Sequence, residues 1–308
     1  MNVVVITLTL LAIFNLWQPN FLSSLSFSKI FLTEPIPGKV NQNGIISLKR
    51  PQLITTSSPS IKAAAAGVYD TSSHTRLWSN QDTEVRSIAS LTKLMSALVF
   101  LDHNPGWEKI QKIEASDERE GGKANLFLGE ELTTNDIFQT ALIASDNTAI
   151  TALVRSTGLS EAEFVIEMNT KAELYRFKNT TFVEPTGLDK ANQSTVKEVA
   201  ILAEKAFART EIKTALLRNS YDFTTLTGRE KHITSTNDLL RLPPIPSIAI
   251  LAGKTGHLTE AGFCFVGWFE KNGHEIITVV LGTDDTAARF TETEKLVAWA
   301  YSSYHWTN

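Results

Sequence analysis

Two apolar runs, residues 262–269 and 274–281, flank the pair Asn272-Gly273 near the end of the chain. Asn-Gly between β-branched and aromatic runs signals a tight hairpin, because both central positions of a type I′ turn need left-handed backbone. A lone two-stranded hairpin is marginal in water, so these strands need partners. The other clear strand signal lies far upstream, where residues 63–70, a Thr71-Ser72-Ser73 turn and residues 76–79 read as a second hairpin. One sheet therefore has to be assembled from remote segments. The chain between them reads mainly as helix. From about Ser90, the apolar residues Leu91, Leu94, Met95, Leu98 and Val99 recur at i, i+3, i+4, i+7 and i+8. Residues near 134–155, 160–175 and 195–208 are also predicted as helices, the last opened by a Thr195/Glu198 capping box, and a final helix spans about 286–304. Strands at both ends with helices between them suggest one sheet covered by helices and carrying a helical insertion, with no internal repeat.

The N-terminal part reads differently. Residues 3–17 are almost wholly apolar, and Lys29 is the first charged side chain. That length fits the apolar stretch of a secretory signal and falls short of the roughly 20 residues of a membrane-spanning helix. No basic flank precedes it, and the pairs Ser24/Ser26 and Ser26/Ser28 offer only a weak cleavage pattern. Residues 1–30 are expected to be a signal peptide or N-terminal membrane anchor, which places the protein outside the cytoplasm, in the periplasm or cell envelope. Residues 31–60 are rich in Pro, Ser, Thr, Asn and Gly and read as a linker, leaving 61–308 as one domain with a sizeable core. With 29 basic and 33 acidic residues, a net charge of −4, nothing advertises nucleic acid. The single cysteine, Cys264, excludes an intrachain disulfide and a Cys-rich zinc cluster. The six histidines lack metal spacing, so neither metal nor cofactor is expected.

Ser-x-x-Lys occurs three times, at Ser26/Lys29, Ser90/Lys93 and Ser194/Lys197. Ser26 lies in the export segment and Ser194 beside a helix start, where serine is favoured for capping. Ser90 alone opens a strongly amphipathic helix, where i and i+3 share a face and a Lys93 amine could reach the Ser90 hydroxyl. An amine can act as a base only when neutral, and with a reference pKa near 10.4 only about 1 lysine in 2,500 is neutral at pH 7. Burial together with a second cation can supply the needed shift of roughly 3 units. Lys254, in Lys254-Thr255-Gly256, is the candidate cation. Gly253-Lys254-Thr255 also matches the end of a phosphate-binding loop, but Ile248 occupies the position of its first glycine and the segment that follows is strand-like. Ser145-Asp146-Asn147 interrupts an apolar run (Ile137, Phe138, Leu142, Ile143), and polar groups in such a place must be satisfied if buried. A rival Ser235/Asn237 lacks that hydrophobic approach. No Gly-x-Ser-x-Gly or His-Glu-x-x-His is present.

Taken in this order, Ser90-x-x-Lys93, Ser145-x-Asn147 and Lys254-Thr255-Gly256 resemble the signature of the penicillin-binding proteins and serine β-lactamases. Ile88-Ala89 ahead of Ser90, Phe182-Val183-Glu184-Pro185-Thr186-Gly187-Leu188 and Ala261-Gly262-Phe263-Cys264 resemble the low-molecular-mass D-alanyl-D-alanine carboxypeptidases, and the middle stretch looks most like their endopeptidase branch. The resemblance implies an α+β fold of the β-lactamase/transpeptidase type, an antiparallel sheet flanked by helices with a mostly helical subdomain. It further implies a serine D,D-peptidase acting on peptidoglycan stem peptides, with β-lactam antibiotics as covalent inhibitors. It also implies roles. Ser90 is the nucleophile, Lys93 its base and Ser145 the proton relay to the leaving amine. Asn147, Lys254, Thr255, Gly256 and His257 bind substrate, with the backbone N–H groups of Ser90 and His257 as the oxyanion hole. Glu184-Pro185 resembles the deacylating loop of class A β-lactamases, yet Leu188 stands where that loop has Asn. β-Lactamase, and a non-catalytic peptidoglycan-binding relative, remain the alternatives.

Overall fold

The sheet expected from the two ends of the domain forms. In the computed structural model, which describes residues 50–55 and 57–307, five strands carry it: β1 (Ala65–Asp70), β2 (Arg76–Asn80), β3 (Ala249–Leu258), β4 (Gly262–Lys271) and β5 (His274–Thr283). Their spatial order is β3-β4-β5-β1-β2, and every pairing is antiparallel. The hairpin turns at Asn272 and Gly273, with φ of 55° and 79°. This is the left-handed pair that a type I′ turn requires.

Side chains alternate across the sheet, and both faces are covered. Cys264, Val266, Ile277, Val279 and Leu281 face one core, shared with the helices α1 (Lys93–Asp102), α2 (Thr134–Ile143), α3 (Asn147–Ser156), α4 (Glu161–Leu174) and α5 (Val196–Phe207). After α5 comes a short α6 (Thr210–Leu216). Phe265, Phe269, Ile276 and Val280 face the other core, against Phe290, Leu296, Val297 and Ala300 of α7 (Thr286–Ser303). Two covered faces explain why β4 and β5 read as nearly continuous apolar runs. Cys264 is fully buried, and burial pushes its thiol up to about 11.

Four expectations need correction. The helix expected over 134–155 is two helices, because Ser145 adopts φ 58° and the Asp146 carboxylate caps α3 by accepting from Ala149 N at 2.8 Å. Ser90 sits in a 3-10 turn, Ala89–Thr92, and the α-helix proper begins at Lys93. Thr195 does cap α5, accepting from Glu198 N at 3.2 Å. Glu198 does not return the bond, however. Its carboxylate accepts from Lys178 N, Asn179 N and Thr180 Oγ1 and holds that turn instead. Within the stretch expected as linker, Gln52–Leu53 pairs antiparallel with Tyr304–His305, so ordered structure begins before residue 61. The hairpin of Ser220–Thr224 and Glu230–Thr234 was not legible in the sequence. Among the described residues no helix is long and apolar enough to cross a membrane. The expected export segment, residues 1–30, lies outside the described residues.

Candidate active site

The edge strand β3 runs directly against the turn that carries Ser90. A side chain at Gly256 would lie 3.0 Å from the Ile88 carbonyl oxygen and 3.3 Å from Leu91 N, so any larger residue would press strand and turn apart. From the other side, the break between α2 and α3 presents Ser145 and Asn147. Two non-glycine residues of these segments adopt left-handed backbone, Ala89 at φ 46° and Ser145 at φ 58°. Such backbone is held only where its surroundings over-determine it.

The three remote segments converge. Lys93 Nζ, fully buried, lies 3.0 Å from Ser90 Oγ and donates to Asn147 Oδ1 at 2.6 Å and to the Thr186 carbonyl at 2.5 Å. Lys254 Nζ donates to Ser145 Oγ at 2.7 Å and to the Thr255 carbonyl at 2.9 Å. Asn147 is held at both ends, since its Nδ2 also donates to the Gly121 carbonyl at 2.8 Å. The Glu120-Gly121-Gly122-Lys123 loop therefore forms one rim of the site. Thr255 Oγ1 lies 2.6 Å from Thr236 Oγ1. The His257 side chain is exposed and stacks on Phe263, with ring centroids 4.0 Å apart.

Burial lowers the Lys93 amine to about 7, while the negative charges of Glu184 and Asp146 pull it back up. Lys254 is lowered well below the ordinary lysine range by burial, then by the charge of Lys93, then by Arg289. The sequence argument called for burial together with the Lys254 ammonium to produce the depression of Lys93. In the structure burial is its leading cause, and the repulsion registers on Lys254. The two amines interact and so titrate as a pair, and burial disfavours the charged form of each. Asp146 is itself raised by burial, offset by hydrogen bonds from Ala149 N and from Asn125 N and Nδ2.

The competing motifs stay apart from this cluster. Ser194 Oγ pairs with Thr180 Oγ1 at 2.7 Å, and Lys197 lines a separate cleft beside Tyr69 and Glu204. Ser26 and Lys29 lie outside the described residues. Ser235 and Asn237 cap a short turn, although Thr236 between them reaches Thr255. Sequence reasoning missed Thr236 and also Arg289, a buried guanidinium on α7 that donates to the Gly256 carbonyl at 3.3 Å. It placed Glu184 near the chemistry by resemblance but could not show its partners.

A family model described as D-alanyl-D-alanine carboxypeptidase matches residues 52–285. The chain is 29% identical to the D-alanyl-D-alanine carboxypeptidase DacF of Bacillus subtilis, over 81% of this chain and 64% of that protein. It thus spans a little under two thirds of that relative. It is 32% identical to a D-alanyl-D-alanine endopeptidase of Haemophilus influenzae, over 71% of this chain and 74% of that protein. Among solved structures, the penicillin-binding protein D2 of Listeria monocytogenes in its cefotaxime-bound form superimposes with a TM-score of 0.69 at 30% identity, covering 80% of this chain and all of that one. The mixed α+β fold, the order of the three motifs and the match over most of the domain agree, and the chain belongs to the D-alanyl-D-alanine carboxypeptidase family of serine D,D-peptidases.

Proposed function

We propose that this chain cleaves D-Ala-containing stem peptides of peptidoglycan through an acyl-enzyme on Ser90. The observation that carries the reading is the Lys93 amine, buried and lowered to about 7, 3.0 Å from the Ser90 hydroxyl. Ser90 Oγ attacks the carbonyl carbon of the penultimate D-Ala while Lys93, as the free base, takes the hydroxyl proton. The backbone N–H groups of Ser90 and His257 receive the developing oxyanion. As the C–N bond breaks, Ser145 passes a proton to the leaving amine, and Lys254, bonded to Ser145 Oγ, supports that transfer and the substrate carboxylate. Thr255 offers its hydroxyl to the same carboxylate, and Gly256 keeps the strand tight against Ser90. Water then releases the acyl group. Asn147 holds Lys93 in the free protein, so contact with the substrate amide requires it to exchange the bond to Lys93 or the one to Gly121.

The relatives are named both as carboxypeptidases and as endopeptidases, and both activities remove a group from the same D-Ala carbonyl. Mass spectrometry of digested wall fragments separates them: stems shortened by one D-Ala mark the first, cross-linked dimers split to monomers the second. β-Lactams are the expected covalent inhibitors, and the uncharged start of the chain supports action outside the cytoplasm, with a signal or anchor at the N-terminus. The central test is labelling with a fluorescent penicillin. The wild-type chain is expected to form a long-lived adduct, and Ser90→Ala none. An unlabelled wild-type chain would return the protein to the non-catalytic reading, while rapid turnover of the penicillin would favour a β-lactamase.

A further inference from the structure

Glu184 is the most heavily hydrogen-bonded carboxylate near the site, and all its partners belong to its own loop. One oxygen accepts from Thr186 N and Thr186 Oγ1, each at 2.6 Å. The other accepts from Gly187 N at 2.5 Å, Asn192 Nδ2 at 2.6 Å and Asp189 N at 3.3 Å. Five donors on one carboxylate close residues 184–192 on themselves and leave little capacity to activate a water. The same loop turns two carbonyls toward α1. Thr186 O accepts from Lys93 Nζ at 2.5 Å, and Pro185 O accepts from Ser96 Oγ at 2.5 Å.

We propose that Glu184 is a positioning residue for Lys93, closing the loop so that the Thr186 carbonyl aims the amine at Ser90 and keeping a negative charge beside it. The charged groups around the amine are Glu184 from this loop, Asp146 at the start of α3 and Lys254 on β3, with Arg289 of α7 beyond Lys254. Of the two acids, Glu184 exerts the larger pull toward the protonated amine. It therefore acts against burial and keeps Lys93 titrating near neutrality. This role rests on Lys93 being the base for Ser90, and it differs from that of a deacylating glutamate.

The test is the pH profile of acylation of the full chain by a fluorescent penicillin, measured for wild type, Glu184→Gln and Glu184→Asp, with circular dichroism to verify folding. Loss of the charge in Glu184→Gln is expected to move the acid limb down by at least about half a pH unit. The plateau rate is expected to fall roughly 10-fold as the loop loosens. Glu184→Asp keeps the charge and shortens the tie, so its limb stays at the wild-type position while its plateau falls. An unmoved limb in a folded Glu184→Gln overturns the proposal, whatever its plateau. So does wild-type acylation combined with slowed release of the adduct, which would make Glu184 a deacylating base. Should Glu184→Gln not fold, Glu184→Asp decides alone, and an unaltered plateau refutes the tie. A wild-type chain that forms no adduct overturns instead the assignment of Ser90 and Lys93, before either variant is compared.

Discussion

Lys93→Ala is expected to slow acylation of Ser90 by more than about 10²-fold while leaving the fold intact, the usual loss when a general base is removed. The wild-type rate should rise with pH as Lys93 loses its proton, with the midpoint near the value of about 7 to which burial lowers the amine. The sign follows from the role: below that pH the amine is an ammonium and cannot accept the Ser90 proton. In Lys93→Ala this limb should vanish, since no other amine lies within hydrogen-bond reach of Ser90 Oγ among the described residues. Because Lys93 and Lys254 interact, the observed midpoint belongs to the pair. Rapid-quench labelling across pH 5–9, roughly two units either side of that midpoint, reads both quantities. A variant acylated at the wild-type rate with the limb in place would remove Lys93 from the mechanism.

Gly187→Ala is expected to be among the most damaging single-methyl changes in the domain. Gly187 adopts φ 84°, and an added Cβ would fall 2.1 Å from the Ala89 carbonyl oxygen and 2.8 Å from Ser90 N. Backbone strain alone costs on the order of 1–3 kcal/mol. The overlap is with backbone, which no side-chain rotation relieves, so the total should exceed about 4 kcal/mol, the range reserved for named severe defects. For a domain of this size that corresponds to a fall in Tm of roughly 10 °C. Thermal unfolding followed by circular dichroism measures it directly. The same methyl pushes on the turn that holds Ser90, so penicillin labelling should fall even at temperatures where the variant is folded. A Tm within about 2 °C of wild type, less than 1 kcal/mol, would show that the loop yields freely.

The convergence of Ser90, Lys93, Asn147, Ser145 and Lys254 was legible because three short patterns, each loose alone, occur in an order that narrows the chemistry sharply. The sheet was legible for another reason: Asn272-Gly273 between two apolar runs leaves little choice of turn, and the covered faces of β4 and β5 leave little choice of layer. What could not be read was set by tertiary contact. Ser145 breaks a helix that periodicity would continue, because Asp146 caps the next one and accepts from Asn125, remote in sequence. Glu198 has the spacing of a capping box, yet its carboxylate goes to residues 178–180. Arg289 carries no local signal, since its meaning comes from α7 lying behind the strand that holds Lys254. The balance between burial and charge at Lys93 could not be read for a similar reason. Sequence shows which charges exist, whereas desolvation depends on how completely neighbouring segments close around the amine.

The lone thiol offers an experimental handle. Cys264 is wholly inside, on a central strand beneath the helices, and its sulfur is held up at about 11, so almost none of it is the reactive thiolate at pH 8. A maleimide added to the native protein should therefore wait for the sheet to open, and its incorporation becomes a clock for global unfolding with one signal per molecule. The same shielding means that cysteines introduced around the cleft can carry dyes or spin labels with the native thiol left in place.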